Sequence, residues 1–157
     1  MTTQTNITLK EITTLQELLS IMPFMLEGYD AMNRKQKVFD VDREGFVKTL
    51  FGVINTHEKN VIGVAFDGIE PVGYGVGFDD TPTYGTTKSF LLWALYAKPE
   101  YSKTVGPMIF NGAEEWAKEH GYKKLNAYNA RFSGASFRLF EKIFGMRRSQ
   151  IKFTKTI

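Results

Sequence analysis

The chain has 157 residues, 43% hydrophobic and 24% charged, with a formal net charge of +3 and no cysteine. A chain this long buries roughly 70% of the surface its unfolded form exposes, enough for one domain spanning residues 1–157. The charge is too small to argue for nucleic acid. Without cysteine there is no disulfide, thiolate nucleophile or cysteine metal site, and no apolar run reaches the ~20 residues of a membrane span.

The start, M-T-T-Q-T-N, lacks the charged and apolar regions of a signal peptide, so a cytoplasmic protein is expected. Ile7 to Ile12 roughly alternates apolar and polar residues and reads as a first strand. Thr13 or Thr14 can cap a helix with Leu15, Leu18, Leu19 and Met22 on its core side. Pro23 falls inside that pattern, which predicts a kink or break, with Phe24 to Met32 as a second helical piece. Asn33 to Val41 is polar and basic and reads as a loop. Asp42 then caps a helix in which Phe46, Leu50, Val53 and Ile54 share a face. Val61 to Phe66 is a strand, and Asp67-Gly68 is a hairpin signal.

Val72 to Phe78 spells V-G-Y-G-V-G-F, with large residues on one face of a strand and only glycine on the other. Three glycines weaken a strand, so something approaches that face closely, either a packed helix or a ligand. Asp79 to Lys88 is a polar loop, whose Asp79 and Asp80 either steer an amine or shape a turn. Phe90 to Ala97 (F-L-L-W-A-L-Y-A) is an unbroken apolar run ended by Pro99, the pattern of a central strand covered on both faces. After a loop from Glu100 to Val105, Gly106-Pro107 opens a helix with Met108, Ile109, Ala113, Trp116 and Ala117 on one stripe. Gly121 supplies a left-handed cap. Tyr122 to Tyr128 is a fifth strand, Ser133 to Phe144 a short helix ending at Gly145, and Met146 to Thr156 a last strand. His57 and His120 have no ligand partner at metal spacing, so no metal site is expected.

The order β-α-α-β-β-β-α-β-α-β is a mixed α/β sandwich on one mostly antiparallel sheet. With that order, L-Y-A-K-P-E-Y (Leu95 to Tyr101), the loop after it, N-G-A-E-E-W-A-K-E-H-G-Y-K-K-L and S-F-R-L-F-E-K-I-F-G-M (Ser136 to Met146) together resemble the GNAT superfamily of N-acetyltransferases. The resemblance covers nearly the whole chain. It implies that acetyl-CoA lies in a V-shaped gap where the central strand splays from the next one. Backbone groups of Leu95, Tyr96 and Ala97 would pair with the pantetheine amides. Amides of Lys103, Thr104, Val105, Gly106, Pro107 (which lacks an N–H) and Met108 would surround the diphosphate, with Ser133 and Ser136 as further contacts. The reaction implied is acetyl transfer to a primary amine of a small molecule or a protein, by direct attack. Glu27 and Tyr29 stand where such proteins place a base or substrate contacts.

The sequence departs from the family pattern in three places. The family loop reads Q/R-x-x-G-x-G/A, whereas this one has Thr104 at the first glycine and Tyr101 or Lys103 at the leading Arg or Gln. The late tyrosine that often serves as general acid corresponds to Phe140, and the asparagine before it to Ser133. These departures keep a second reading open: a catalytically inactive GNAT-like domain that binds protein as a virion-assembly or host-interaction module, similar to degenerate domains of tailed phages. Self-association is compatible with either reading, and nucleic-acid binding through Arg147, Arg148, Lys152 and Lys155 is a minor third.

Overall fold

A computed structural model describes residues 6–33, 41–127, 142, 145 and 146. The readings of residues 34–40, Tyr128, Asn129, the Ser133–Phe144 helix and the Met146–Thr156 strand lie outside the described residues. Among the described residues five strands form one sheet in the order β1-β2-β3-β4-β5: β1 Ile7–Glu11, β2 Val61–Asp67, β3 Glu70–Asp79, β4 Ser89–Ala97 and β5 Lys124–Ala127. The first four are antiparallel neighbours, and β5 runs parallel to β4. Helices α1 Leu15–Asn33 and α2 Arg43–Asn55 cover one face, and α3 Ser102–Glu119 covers the other. This is the mixed α/β sandwich that the element order predicts.

Thr14 caps the start of α1, with Glu17 reaching back one residue beyond the cap, a variant of the capping box. Thr14 Oγ1 accepts from the Glu17 amide at 3.2 Å, and the Glu17 carboxylate accepts from the Thr13 amide at 3.4 Å. Hydrogen bonds from Lys10 and then Thr14 hold the Glu17 carboxyl down from its ordinary 4.5 to about 2. A depressed carboxyl stabilises the fold above its unfolded value, and that contribution fades as pH falls from about 4.5 to about 2. The urea midpoint should therefore drop across that window, and Glu17→Gln should flatten the drop. An equally steep acid limb in the variant would reject the assignment.

Two expectations for α1 are corrected. The helix runs unbroken through Pro23, because Leu18 and Ile21 before it and Phe24 and Met25 after it are buried in one core. Its core side is Leu18, Ile21, Met25, Gly28 and Met32, whereas Leu15 and Leu19 are about half exposed, at 50% and 53%. The α2 reading holds, with Asp42 Oδ1 accepting from the Gly45 amide at 2.8 Å and Phe46, Leu50, Val53 and Ile54 buried. The β2–β3 turn sits one residue later than expected: Asp67 pairs with Glu70 around Gly68-Ile69, with Gly68 at φ +63°. Gly121 caps α3 at φ +82°, its amide bonding the Lys118 carbonyl while the Tyr122 amide bonds that of Ala117, a Schellman arrangement.

The glycine face of β3 is filled by protein. A Cβ on Gly73 would run into Val105 of α3, and one on Gly75 would lie 2.6 Å from Ile109 of α3. A Cβ on Gly77 would strike the Phe90 ring of β4. The close approach that three glycines imply is thus a helix and a neighbouring ring. On the other face Tyr74 is fully buried and donates to the Met25 carbonyl at 3.0 Å. Its ring occupies the space that a side chain at Gly28 would need.

Candidate functional site

Among the described residues β4 is paired along its length with β3 and over its first half with β5. Toward β3 it is bonded from Phe90 to Ala97, but toward β5 the ladder runs from Ser89–Lys124 to Leu92–Ala127. Trp93 to Ala97 therefore have no strand partner on that edge among the described residues. At this junction β4 carries a bulge: Gly77 pairs with Leu92 and Val76 with Ala94, leaving Trp93 as the extra residue. A bulge bends its strand and increases local twist. Phe90 packs with the α3 cluster, while Trp93, Ala94 and Tyr96 pack with α1 and α2. Beyond the bulge, Leu95 and Ala97 return to the α3 side.

The open edge has a defined polarity. Lys98 donates its N–H to the Val72 carbonyl at 2.9 Å, so Lys98 faces β3. Alternation then turns the backbone groups of Leu95 and Ala97 away from β3, toward the open edge. Such groups can take an added extended chain.

At the far end of that edge the expected loop is helix. Pro99–Tyr101 forms a single 3-10 turn and α3 begins at Ser102. Lys103, Thr104 and Val105 therefore belong to the first turn of α3, and Gly106 and Pro107 are not its opening but its interior. The reason is packing: Val105 is fully buried under Gly73, which draws the chain into helical geometry one turn earlier. The Ser102 amide already bonds the Pro99 carbonyl. The exposed first-turn donors are thus Lys103 and Thr104, and a Cβ at Gly106 would meet nothing within 4 Å.

The charges around this turn are mixed. The Tyr101 hydroxyl donates to Asp67 Oδ2 at 2.7 Å, and that bond, then desolvation and the negative charges of Asp67, Glu70 and Glu100, push it up to about 12. Lys98 Nζ is 2.8 Å from Glu70 Oε1, and this hydrogen bond raises the lysine. Lys103 is exposed and α3 has no acid in its first turn.

Among the expected catalytic residues, Glu27 is exposed on α1, and its charge acts on both Tyr74 and Lys98. Tyr29 is buried, its ring 4.9 Å from Phe46 and its hydroxyl donating to the Val41 carbonyl at 2.7 Å. It tethers the chain entering α2. Phe140, Ser133 and Ser136 lie outside the described residues. Asp79 accepts from the Thr81 amide at 2.8 Å, a turn role. Partial burial pushes its carboxyl up, but hydrogen bonds from Thr81 and Tyr122 outweigh this and leave it lowered. Among the described residues no histidine, aspartate and glutamate cluster could hold a metal, and no helix is long and apolar enough to cross a membrane.

Sequence reasoning missed Trp93, Lys98 and Phe110. The bulge is hidden because F-L-L-W-A-L-Y-A has no polar residue whose phase could slip. Phe110 is buried in α3, and Met108, expected on the core stripe, is half-buried.

The acetyltransferase (GNAT) family model matches residues 23–146. The chain belongs to this family. GNAT proteins use acetyl-CoA as their acyl donor. The fold is similar to AAC(6')-Iy, solved with the bisubstrate analogue CoA-S-monomethyl-acetylneamine, at TM-score 0.76 and 6% identity over 97% of this chain and 99% of that one. It is also similar to glucosamine-6-phosphate N-acetyltransferase from Arabidopsis thaliana, at TM-score 0.71 and 13% identity over 96% and 98%. An aminoglycoside acetyltransferase from an uncultured soil metagenomic sample gives 0.71 and 11% over 96% of each chain. No curated protein matches the sequence. In this GNAT chain the start of α3 presents exposed residues Lys103 and Thr104, with open space at Gly106.

Proposed function

We propose that this protein transfers an acetyl group from acetyl-CoA to the amine of a small molecule by direct attack. The observation that supports this is the edge of β4 from Trp93 to Ala97, which beyond the bulge has no strand partner on the β5 side among the described residues and leads to the start of α3. Acetyl-CoA supplies an activated thioester whose thiolate is a tolerable leaving group. Leu95 and Ala97 would hold the pantetheine amides through backbone groups, with Tyr96 packing behind them. Lys103 and Thr104 would offer amides to the diphosphate, helped by the positive end of α3. Gly106 keeps that approach open, whereas Val105 and Pro107 serve the helix itself, and Met108 lies half-buried beyond them. A backbone N–H at the bulge would face the carbonyl oxygen as charge develops there.

Glu27 would attract the ammonium form of the acceptor and take up the proton it must lose before attack. Fixing the amine in place supplies much of such a rate, since effective molarities reach roughly 10⁵–10⁸ M. The atoms balance as ammonium plus thioester giving amide, free thiol and one proton, the proton going to Glu27 and then to solvent. The similar structures named for aminoglycoside and glucosamine-6-phosphate acetyl transfer support amine-bearing small molecules as the first acceptors to try. Ser133 and Ser136 remain proposed contacts, Phe140 the residue at the usual acid position.

One observation favours the alternative of binding without catalysis. Beside the proposed diphosphate seat, Asp67 takes up the Tyr101 hydroxyl, and the negative charges of Glu70 and Glu100 also act there. A single pair of measurements separates the readings. At about 100 times its Kd, acetyl-CoA should stabilise by roughly 2.7 kcal/mol, raising Tm by about 5–10 °C. Thiol release should follow with an aminoglycoside or amino-sugar panel. No thermal shift at millimolar acetyl-CoA would reject the transferase, and a shift with no thiol release would leave the non-catalytic reading.

A further inference from the structure

The start of α3 is not held by a cap of its own. Tyr101 stands at the N-cap position, and its side chain makes no capping hydrogen bond, where Ser, Thr, Asn or Asp would ordinarily bond a first-turn amide. Its hydroxyl reaches instead to another element, donating to Asp67 Oδ2 at 2.7 Å. The ring packs against the cluster of Ala65, Val72, Val105 and Ile109, so one side chain joins β2, β3 and the first turns of α3.

Asp67 and Glu70 are the pair that closes the β2–β3 turn. Each holds one residue of the connection from β4 to α3: Glu70 Oε1 lies 2.8 Å from Lys98 Nζ, and Asp67 takes the Tyr101 hydroxyl. Lys98 and Tyr101 are themselves joined, the Tyr101 amide donating to the Lys98 carbonyl at 2.8 Å. The two tethers are not equivalent. Glu70 is 60% exposed, and an ion pair with so exposed a partner contributes little. The Tyr101–Asp67 bond is part-buried and as short as charge-assisted hydroxyl–carboxylate bonds are. It also acts at the residue directly before Ser102, Lys103 and Thr104. Losing it would leave the first turn without a side-chain anchor at its N-cap and an unoccupied carboxylate beside it.

We propose, taking the diphosphate seat from the transferase reading, that Tyr101 is a positioning residue for acetyl-CoA: its bond to Asp67 fixes the first turn of α3 so that the amides of the exposed residues Lys103 and Thr104 meet the diphosphate.

The test uses the whole protein, with acetyl-CoA binding measured by titration calorimetry. Tyr101→Phe keeps the packed ring and loses only the hydroxyl, and it should weaken acetyl-CoA about five- to tenfold. Asp67→Asn keeps an acceptor oxygen for that hydroxyl and removes the charge, so it should bind at least as tightly as the parent. In the Asp67→Asn background Tyr101→Phe should still weaken binding about threefold or more. In the Asp67→Ala background, where no acceptor is left, the same change should have no effect. That contrast separates a tether from general destabilisation and from charge alone. Phosphorus NMR of each protein saturated with acetyl-CoA gives a second readout. The diphosphate resonances should differ between parent and Tyr101→Phe, and the 3′-phosphate resonance should not. Equal affinity of Tyr101→Phe and the parent, an undiminished loss in the Asp67→Ala background, or diphosphate resonances unmoved by Tyr101→Phe would each overturn the proposal and leave the transferase reading standing. A parent protein that fails to bind acetyl-CoA would overturn both.

Discussion

Phe46→Ala is expected to cost about 3–5 kcal/mol of folding stability, the range for removing a fully buried aromatic ring. Phe46 has no exposure, and it sits between Tyr29, 4.9 Å away, and Trp93, 5.8 Å away. Its ring joins α2 to the residue at which β4 bulges. The loss should therefore register twice. The urea midpoint should fall at an unchanged m-value, and acetyl-CoA should stabilise the variant less than the parent because Trp93 loses its support. A cost below about 1 kcal/mol would mean that the core closes over the space without difficulty, and that the bulge is held by something other than Phe46.

Gly73→Val should both destabilise the protein and impair the proposed cofactor site. The new Cβ would collide with Val105, and would lie 2.9 Å from the Tyr96 carbonyl oxygen and 3.0 Å from Ile109 Cδ1. Neither the backbone oxygen nor a fully buried valine can yield cheaply, so overpacking should cost about 1–3 kcal/mol. Relief requires moving the first turn of α3, which is where the diphosphate amides are proposed to lie. The thermal shift with acetyl-CoA should shrink accordingly. Gly106→Ala is the control within the same helix. Its Cβ enters open space, so helix propensity should stabilise it by about 0.5–1 kcal/mol. If Gly73→Val proved as stable as the parent and bound acetyl-CoA equally well, α3 would not be seated by the glycine face of β3.

The order of the elements was legible from local signals. Asp42, Gly68 and Gly121 act through their own backbone neighbours, and the caps and turn they specify are present, the turn one residue displaced. The face division of V-G-Y-G-V-G-F was equally readable, because period-two alternation is a property of one strand alone. What filled the glycine face was not readable, since a helix and a ligand leave the same blank in a single strand.

Where local preference competed with packing, the sequence misled. Pro23 reads as a kink or a break, and there is no break: buried residues on both sides carry the helix across it. Gly106-Pro107 reads as a helix start, yet the burial of Val105 under Gly73 sets the start a turn earlier. The family resemblance puts Tyr29 at a base or substrate contact, yet the chain entering α2 takes up its hydroxyl.

By itself, then, the sequence determined the succession of the described strands and helices, their caps and most of their apolar faces, all of which depend on residues within a few positions of one another. Only the tertiary structure decided the features of the proposed site. These are the bulge at Trp93, the starting turn of α3 and the carboxylates around Tyr101. Each depends on which distant segment arrives opposite, and a chain read along its length carries no record of that.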